Sequence, residues 1–237
     1  MTLMSSLNTL FPGQPPKFEP HITISSNIDV DLDHPDKTKS DVYRILSACL
    51  VAIDSLPKNH SNLVTLGKVD SQRKFFKKLY FQVARDPNLV SFATIIRELF
   101  VQLPADIEQE NMKKNPHLYT TDSHGNTVKK KSKQSQDGRV EEIDMPRIQR
   151  EAQEQASLWS VTEFDPHLSL VYNDLHPIDS ALWRTIKTRI QDYLNIDNCD
   201  SDDLTDNGLG WDNGILKLVL CEGDVNDWVV LGSADLH

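Results

Sequence analysis

Two short segments of this chain carry a histidine and a hydroxyl residue in the same order. Residues 18–24 have the sequence FEPHITI, and residues 164–170, 146 positions later, have the sequence FDPHLSL. Each position holds either the same residue or one of the same chemical type. A structural duplication needs only the apolar positions to recur, whereas here the polar positions recur as well. We call these segments the first and second repeat and interpret their polar residues as a candidate site.

Both repeats predict a short strand after the proline. Apolar and polar residues alternate there, and side chains two positions apart in a strand point to the same face. His21 and Thr23 therefore share a face, as His167 and Ser169 do, with a spacing of roughly 7 Å along each strand. Two such strands brought together would line a cleft with two imidazoles and two hydroxyls, which suits a phosphate group. A single histidine in a strand is more often structural, so the prediction depends on the repetition.

Two histidines on either side of a phosphate predict in-line displacement at phosphorus. One neutral imidazole takes a proton from the attacking water, and the other, protonated, gives a proton to the departing oxygen. An ordinary histidine pKa near 6.5 allows both forms around neutral pH. Thr23 and Ser169 would hold the non-bridging oxygens and stabilise their charge. We expect no metal or other cofactor, and the sequence leaves open which of His21 and His167 is the base.

The composition is typical of a soluble globular protein. The chain has 237 residues, of which 38% are hydrophobic and 25% charged, and its formal net charge is −10. Long nucleic acid needs concentrated basic residues, so this acidity disfavours it, while a short nucleotide can still bind in a local pocket. The sequence has no membrane-length apolar run and no secretory signal, and its three cysteines lack metal-ligand spacing. We expect a soluble, intracellular monomer without a membrane span.

The order of predicted elements is the same in the two halves of the chain. In the first half, a short helix over 4–11 precedes the motif strand, a helix over 40–55, strands over 63–69 and 74–83, and a helix over 88–103. In the second half the motif strand precedes a helix starting near Pro177 or Asp179 and strands over 214–221 and 227–232. Strand, helix and two strands therefore occur twice. This predicts an α+β fold of two pseudo-twofold-related lobes, each with an antiparallel sheet and helices.

The segment between the halves has a different composition. Residues 104–156 contain few apolar side chains and a lysine cluster at 129–133, so we predict a flexible, charged linker in which only a short helix begins near Glu151. The linker divides a single domain over 1–237 into lobe one, about 1–103, and lobe two, about 157–237. A lysine cluster can also bind RNA, but a solvated linker is the more usual outcome.

The paired H-x-[T/S] motifs resemble those of the 2H phosphoesterase superfamily, and the longer stretches 18–25, 164–174 and 228–232 resemble its fungal 2',3'-cyclic-nucleotide 3'-phosphodiesterases. The resemblance implies a bilobal fold with the active site in a central cleft. It implies hydrolysis of nucleoside 2',3'-cyclic phosphates to 2'-phosphates, and of ADP-ribose 1'',2''-cyclic phosphate to ADP-ribose 1''-phosphate after tRNA splicing. It also implies catalytic roles for His21 and His167, phosphate binding by Thr23 and Ser169, Tyr172 near the substrate, and a location at the Golgi.

Two other functions fit the same residues. One is a 2H enzyme that processes RNA ends, either a 2'-5' ligase-like protein or a 3'-end exonuclease. The other is a nucleotide-binding module that keeps the cleft without turnover. The acidic net charge disfavours the first, and the presence of all four polar residues disfavours the second. Turnover of cyclic mononucleotides compared with turnover of a short RNA distinguishes the three.

Overall fold

The structure is a computed structural model that describes residues 2–57, 62–122, 125, 127–130, 140–174 and 177–236. The chain divides into two compact units, the first made of 1–24, 30–93 and 164–237 and the second of 25–29 and 94–163. The described elements mix helices with antiparallel strands, which confirms the α+β class.

The described helices are α1 (Leu3–Asn8), α2 (Pro35–Asp54), α3 (Pro87–Arg97), α4 (Leu103–Lys114), α5 (Met145–Thr162) and α6 (Ser180–Leu194), with a π-helical turn, Glu98–Gln102, joining α3 to α4. The strands are β1 (Val64–Asp70), β2 (Leu79–Val83), β3 (Tyr119–Thr121), β4 (Thr127–Lys129), β5 (His167–Val171), β6 (Gly210–Trp211), β7 (Gly214–Leu220) and β8 (Val229–Leu236). Short 3₁₀ turns occur at Phe75–Lys77, Pro116–Leu118, Thr205–Asn207 and Val225–Asp227.

The main sheet of the first unit joins strands from both halves of the chain. Its order is β5-β2-β1-β6, and all three pairings are antiparallel. The strand of the second repeat, β5, therefore pairs with β2 of the first half. Leu79, Phe81 and Leu170 are almost fully buried, so one face of this central region belongs to the core.

Helices α1 and α6 contribute to the same core. Helix α1 contacts both β5 and α6, with Leu7 of α1 and Ile186 of α6 fully buried. The Asp179 carboxylate caps α6 by accepting hydrogen bonds from two main-chain N–H groups at the start of the helix. The Arg189 guanidinium of α6 donates to the Ser6 carbonyl oxygen at 2.6 Å. The predicted cap near Asp179 is confirmed.

The C-terminal pair β7–β8 packs on α2, a helix of the first half. A Cβ atom placed on Gly232 would lie 2.4 Å from Val42 Cγ1, so this contact is too close for any larger residue. Valine has one strongly preferred rotamer in a helix and cannot easily turn away. Glycine at this position therefore lets β8 approach α2.

These pairings differ from the ones we predicted for each half. Strand β2 pairs with β5 of the second repeat, β1 pairs with β6, and β7 and β8 contact the helix of the first half, so strands of each half contact elements of the other. The first repeat was also predicted to form a strand, and this was wrong. Its only described ladder contact is an isolated bridge at Ile22. Alternation along the sequence indicates extended backbone but not its partner, and without a continuous partner no strand forms.

The second unit contains helices where we predicted a flexible linker. Helices α4 and α5 contact each other, and Ile148, Ala152 and Ala156 form a buried stripe four residues apart along α5. Small alanines make that stripe weak as a hydrophobic pattern, which is why the sequence did not reveal it. The prediction of unstructured chain is therefore wrong over these two helices. Residues 131–139, which include part of the lysine cluster, lie outside the described residues.

Polar contacts also hold the second unit together. Asn115 is fully buried, accepts from the Glu141 N–H at 2.7 Å and donates to the Glu141 carbonyl at 3.0 Å. Arg147 of α5 forms an ion pair with Glu110 of α4 at 2.8 Å. None of the helices in the described part of the chain is long and apolar enough to cross a lipid bilayer.

We predict that Gly232→Ala destabilises the protein, because the new methyl group overlaps Val42 in α2. Overpacking of this kind costs about 1–3 kcal/mol of unfolding free energy, measured by urea denaturation. Gly214→Ala is the matched control, since a Cβ at Gly214 in the neighbouring strand meets no atom within 4 Å. Equal stabilities of the two variants would contradict the packing of β8 on α2.

Candidate active site

An isolated antiparallel bridge between Ile22 and Leu168 joins the two repeats. Residues directly opposite each other in such a pair point to the same side, and their neighbours point to the other. Leu168 lies in the core and is 9% exposed. The polar residues that flank Ile22 and Leu168 in the two repeats therefore share the opposite side of the pair.

The register of this bridge sets which polar residues face each other. Because the pairing is antiparallel, Thr23 lies opposite His167, and His21 lies opposite Ser169. Each imidazole is thus beside the hydroxyl of the other repeat. The structure brings together the four polar residues that the sequence singled out.

Both imidazoles are oriented by the same main-chain hydrogen bond. His21 Nδ1 lies 2.7 Å from the Glu19 carbonyl oxygen, and His167 Nδ1 lies 2.8 Å from the Asp165 carbonyl oxygen. A carbonyl only accepts, so Nδ1 carries the hydrogen in both rings. Nε2 of each ring remains for proton transfer, as a lone pair in the neutral form and as an N–H in the protonated form.

Strand β2 adds polar groups beside the second repeat. Tyr80 pairs with Ser169, and Gln82 pairs with His167, so both side chains lie on the same face of the sheet as His167 and Ser169. The Tyr80 ring meets the His167 ring edge-on at 5.6 Å between centroids. The Asp70 carboxylate accepts from Gln82 Nε2 at 2.9 Å and from the Tyr80 hydroxyl at 3.3 Å. This network holds the Tyr80 ring against His167.

The two hydroxyls differ in their surroundings. Thr23 is exposed, whereas Ser169 is 3% exposed. The Ser169 hydroxyl donates to the Phe76 carbonyl oxygen at 2.7 Å, and the Asn173 N–H donates to the Phe75 carbonyl oxygen at 3.2 Å. These bonds fasten the Phe75–Lys77 turn to β5. To donate to a phosphate, the Ser169 hydroxyl has to rotate away from Phe76.

An aromatic cluster borders the repeats. Phe18 stacks on Tyr172 with a centroid distance of 3.9 Å, and Phe76 meets Tyr172 edge-on at 5.1 Å. The Trp228 ring lies 6.1 Å from that of Phe76. Tyr172 itself is 3% exposed, while Phe76 is 49% exposed. Phe76 is therefore the exposed ring of the cluster, Phe18 and Trp228 are partly exposed, and the buried Tyr172 supports them.

Burial shifts the pKa values of two of these residues. Loss of water around the ring lowers the pKa of His167 below its ordinary value, and the positive charge of Lys77 lowers it further, against an opposing hydrogen bond to Asp165. His167 is therefore neutral near pH 7. Burial also raises the pKa of Tyr172 to about 12, so its phenol stays protonated.

The sequence missed Tyr80, Gln82 and Asp70. Their alternation with buried residues in β1 and β2 was visible, but nothing in a single sequence shows that β2 pairs with the second repeat. Among the residues that the structure describes, no group of three His, Cys, Asp or Glu side chains is placed to hold a metal ion. The metal-free mechanism stays a prediction.

Residues 1–236 match the family described as cyclic phosphodiesterase-like protein. The chain is 98% identical over 237 residues to a Debaryomyces hansenii protein, with all of both chains covered, and 62% identical over 239 residues to a Candida albicans protein, covering 100% of this chain and 92% of the relative. A Yarrowia lipolytica protein is 34% identical over 234 residues, covering 99% of this chain and 90% of the relative. All three relatives are named 2',3'-cyclic-nucleotide 3'-phosphodiesterase. No solved structure matches the chain.

The chain belongs to the cyclic phosphodiesterase-like protein family. The family match covers nearly the whole sequence, and the resemblance to fungal cyclic phosphodiesterases expected from the two repeats is confirmed.

We predict that His167 titrates below the ordinary histidine value of about 6.5 in the folded, ligand-free protein, because burial disfavours its charged form. An NMR titration of the imidazole C–H signals measures this directly, with assignment by a His167→Gln variant. The same residue in urea-unfolded protein is the control and should return to the ordinary value. A folded-state midpoint at or above the unfolded one would contradict the environment described for β5.

Proposed function

We propose that this chain is a metal-independent cyclic phosphodiesterase that hydrolyses nucleoside 2',3'-cyclic phosphates to nucleoside 2'-phosphates. The observation that carries the proposal is the Ile22–Leu168 bridge, since its register sets each imidazole beside a hydroxyl of the other repeat. Membership of the cyclic phosphodiesterase-like family and the names of the close relatives support the substrate class.

His167 acts as the general base in this proposal. Its lowered pKa keeps it neutral, and its Nδ1–H is engaged by the Asp165 carbonyl, so Nε2 presents a lone pair. Nε2 takes a proton from water while the water oxygen bonds to phosphorus. The preference for His167 as base comes from its burial, since His21 is exposed.

His21 acts as the general acid. Its Nδ1–H donates to the Glu19 carbonyl, which leaves the Nε2–H of the protonated ring for the leaving group. As the bond between phosphorus and the 3' oxygen breaks, that oxygen takes the Nε2 proton and becomes the free 3'-hydroxyl. The phosphate remains on the 2' oxygen, and one proton has moved from water to His167 and another from His21 to the product.

The remaining predicted residues bind the substrate. Thr23 and Ser169 donate to the non-bridging phosphoryl oxygens, where negative charge grows in the transition state. The exposed Phe76 and the partly exposed Trp228 offer a surface on which a nucleobase can stack, and Tyr172 holds Phe76 in place. Because Tyr172 is buried, we assign it a supporting role next to the substrate rather than a direct bond to phosphate.

Wider parts of the proposal rest on the resemblance. We propose that ADP-ribose 1'',2''-cyclic phosphate is also hydrolysed, to ADP-ribose 1''-phosphate, in the processing of tRNA-splicing by-products. The pseudo-twofold, bilobal 2H arrangement is likewise proposed, supported by the matched carbonyl–imidazole bonds of the two repeats. The lobe boundaries, the monomeric state, and the intracellular and Golgi location stay predictions.

We predict that the purified protein converts 2',3'-cyclic mononucleotides to 2'-phosphates in excess EDTA, because the proton transfers and charge stabilisation are assigned to side chains. Phosphorus NMR distinguishes the 2'-phosphate product from the 3'-phosphate. A short RNA with a free 3' end is the comparison substrate, and the acidic net charge of −10 predicts slower turnover of it. Faster turnover of the RNA would favour an RNA-end-processing enzyme. Binding of the cyclic nucleotide without turnover would favour a nucleotide-binding module. Loss of activity on chelation, restored by a divalent ion, would require another mechanism.

A further inference from the structure

The acidic residue of each repeat forms an ion pair with a lysine from a distant part of the chain. Asp165 of the second repeat pairs with Lys77, which ends the 3₁₀ turn before β2, 88 positions away. Glu19 of the first repeat pairs with Lys217 in β7, 198 positions away. Neither lysine belongs to a repeat, and the two lie on different elements. The same kind of acid–lysine ion pair therefore occurs at both repeats.

These acids are the residues whose carbonyl oxygens orient the histidines. The Glu19 carbonyl accepts from His21 Nδ1 at 2.7 Å, and the Asp165 carbonyl accepts from His167 Nδ1 at 2.8 Å. Each acidic residue thus has two contacts, a side-chain contact to lysine and a main-chain contact to imidazole. One acidic residue therefore links each lysine to one imidazole.

The proline between acid and histidine explains why one further contact matters. Proline fixes its own φ and keeps the preceding residue extended, so Pro20 and Pro166 remove most of the freedom between carbonyl and ring. The backbone on the other side of the acidic residue is not restricted in this way. Its side chain is well exposed, at 66% for Asp165 and 74% for Glu19, so without a partner it would move in water. The lysine limits that movement.

Lys77 is itself held in place. Its side chain is only 14% exposed, and its Nζ lies 5.6 Å from the centroid of the Tyr80 ring. That ring also meets His167 edge-on at 5.6 Å. Lys77 therefore contacts both Asp165, whose carbonyl oxygen accepts from His167, and Tyr80, whose ring lies against His167.

We propose that Lys77 and Lys217 are positioning residues of the site, each of which fixes the acid whose carbonyl holds one of the two histidines. This rests on the function proposed above, in which those histidines transfer protons. Neither lysine is assigned a contact with the substrate.

The charges around the imidazoles agree with this arrangement. Lys217 lowers the pKa of Glu19 by a hydrogen bond and by its charge, so the acid is ionised and able to pair near neutral pH. The charged groups that act on His167 are Lys77, Asp165 and His21, and the neutral Tyr80 ring lies against it. Removing Lys77 takes away a charge that opposes protonation of His167 and also releases Asp165.

The first test uses the ligand-free protein with ¹⁵N-labelled histidine. In the parent protein both repeats should show the Nδ1–H form, because the hydrogen bond of one ring nitrogen sets which nitrogen is protonated. Lys217→Met should reduce that form at His21 and leave His167 unchanged, and Lys77→Met should do the reverse, so each histidine is the control for the other. Asp165→Asn, an exposed change, replaces Lys77→Met if the latter does not fold. Unchanged signals at both histidines in these variants would overturn the proposal.

The second test measures kcat and KM on a 2',3'-cyclic mononucleotide. Loss of an exposed ion pair predicts a two- to fivefold fall in kcat for each lysine variant, with KM little changed. Lys77→Arg and Lys217→Arg should restore activity, and the Lys217→Met, Glu19→Gln double variant should be no slower than Lys217→Met alone, since both changes break the same contact. Lys187→Met removes a comparable lysine that pairs with Asp200 outside the repeats and should leave both constants unchanged.

The outcomes separate the lysine role from the proposed function. A rise in KM with unchanged kcat would assign the lysines to direct phosphate binding and overturn the positioning role. An equal effect of Lys187→Met would overturn it too, because net charge alone would then explain the loss. If the imidazole signals change as expected but the parent protein does not hydrolyse cyclic nucleotides, the proposed function fails and the positioning of the two histidines stands.

Discussion

The site depends on one main-chain contact, the antiparallel bridge between Ile22 and Leu168. A slip of one residue in an antiparallel pair turns every side chain to the other face. Here such a slip would exchange the sides of the pair on which the polar and the aliphatic residues lie. Leu168 and Leu170 lie in the core in the observed register, and the arrangement of the polar groups depends on that register. The proposed catalytic geometry therefore depends on this one register.

Near that bridge, main-chain carbonyl groups orient the histidines that we propose as catalytic. Strand β2, from the first half of the chain, lies beside the second repeat. Each imidazole is held by a carbonyl two residues earlier, across a proline that restricts the backbone. The surroundings differ, because His167 lies in a continuous strand against β2, whereas His21 lies in a segment without regular strand structure. Two repeats of similar sequence thus hold one half-buried and one exposed histidine. In the function that we propose, this difference in burial distinguishes the base from the acid.

Much of the site was predictable from the sequence, and less of the fold. The repetition of polar as well as apolar positions identified His21, Thr23, His167 and Ser169, because local pattern and chemistry coincide there. Tyr80 and Gln82 were not identifiable, since their role depends on a strand pairing between distant segments. The turn at Phe75–Lys77 was predicted as strand, and it is instead held by the Ser169 hydroxyl, a contact that local alternation does not reveal. Helix α5 was predicted only as a short helix beginning near Glu151, whereas it spans Met145–Thr162, because its buried stripe is mostly small residues.

The central claim is that His21 and His167 work as one proton-transfer unit, and single-turnover hydrolysis of a 2',3'-cyclic mononucleotide by four proteins tests it. Each of His21→Ala and His167→Ala should lower the rate by about 10²–10⁴-fold, the usual loss for one acid or base. The double variant should be hardly slower than the slower single variant, because residues that act as a unit are not additive. His34→Ala, a change to an exposed histidine at the start of α2, is the control and should keep the parental rate. A near-parental rate in either single variant, or losses that multiply in the double variant, would contradict the account.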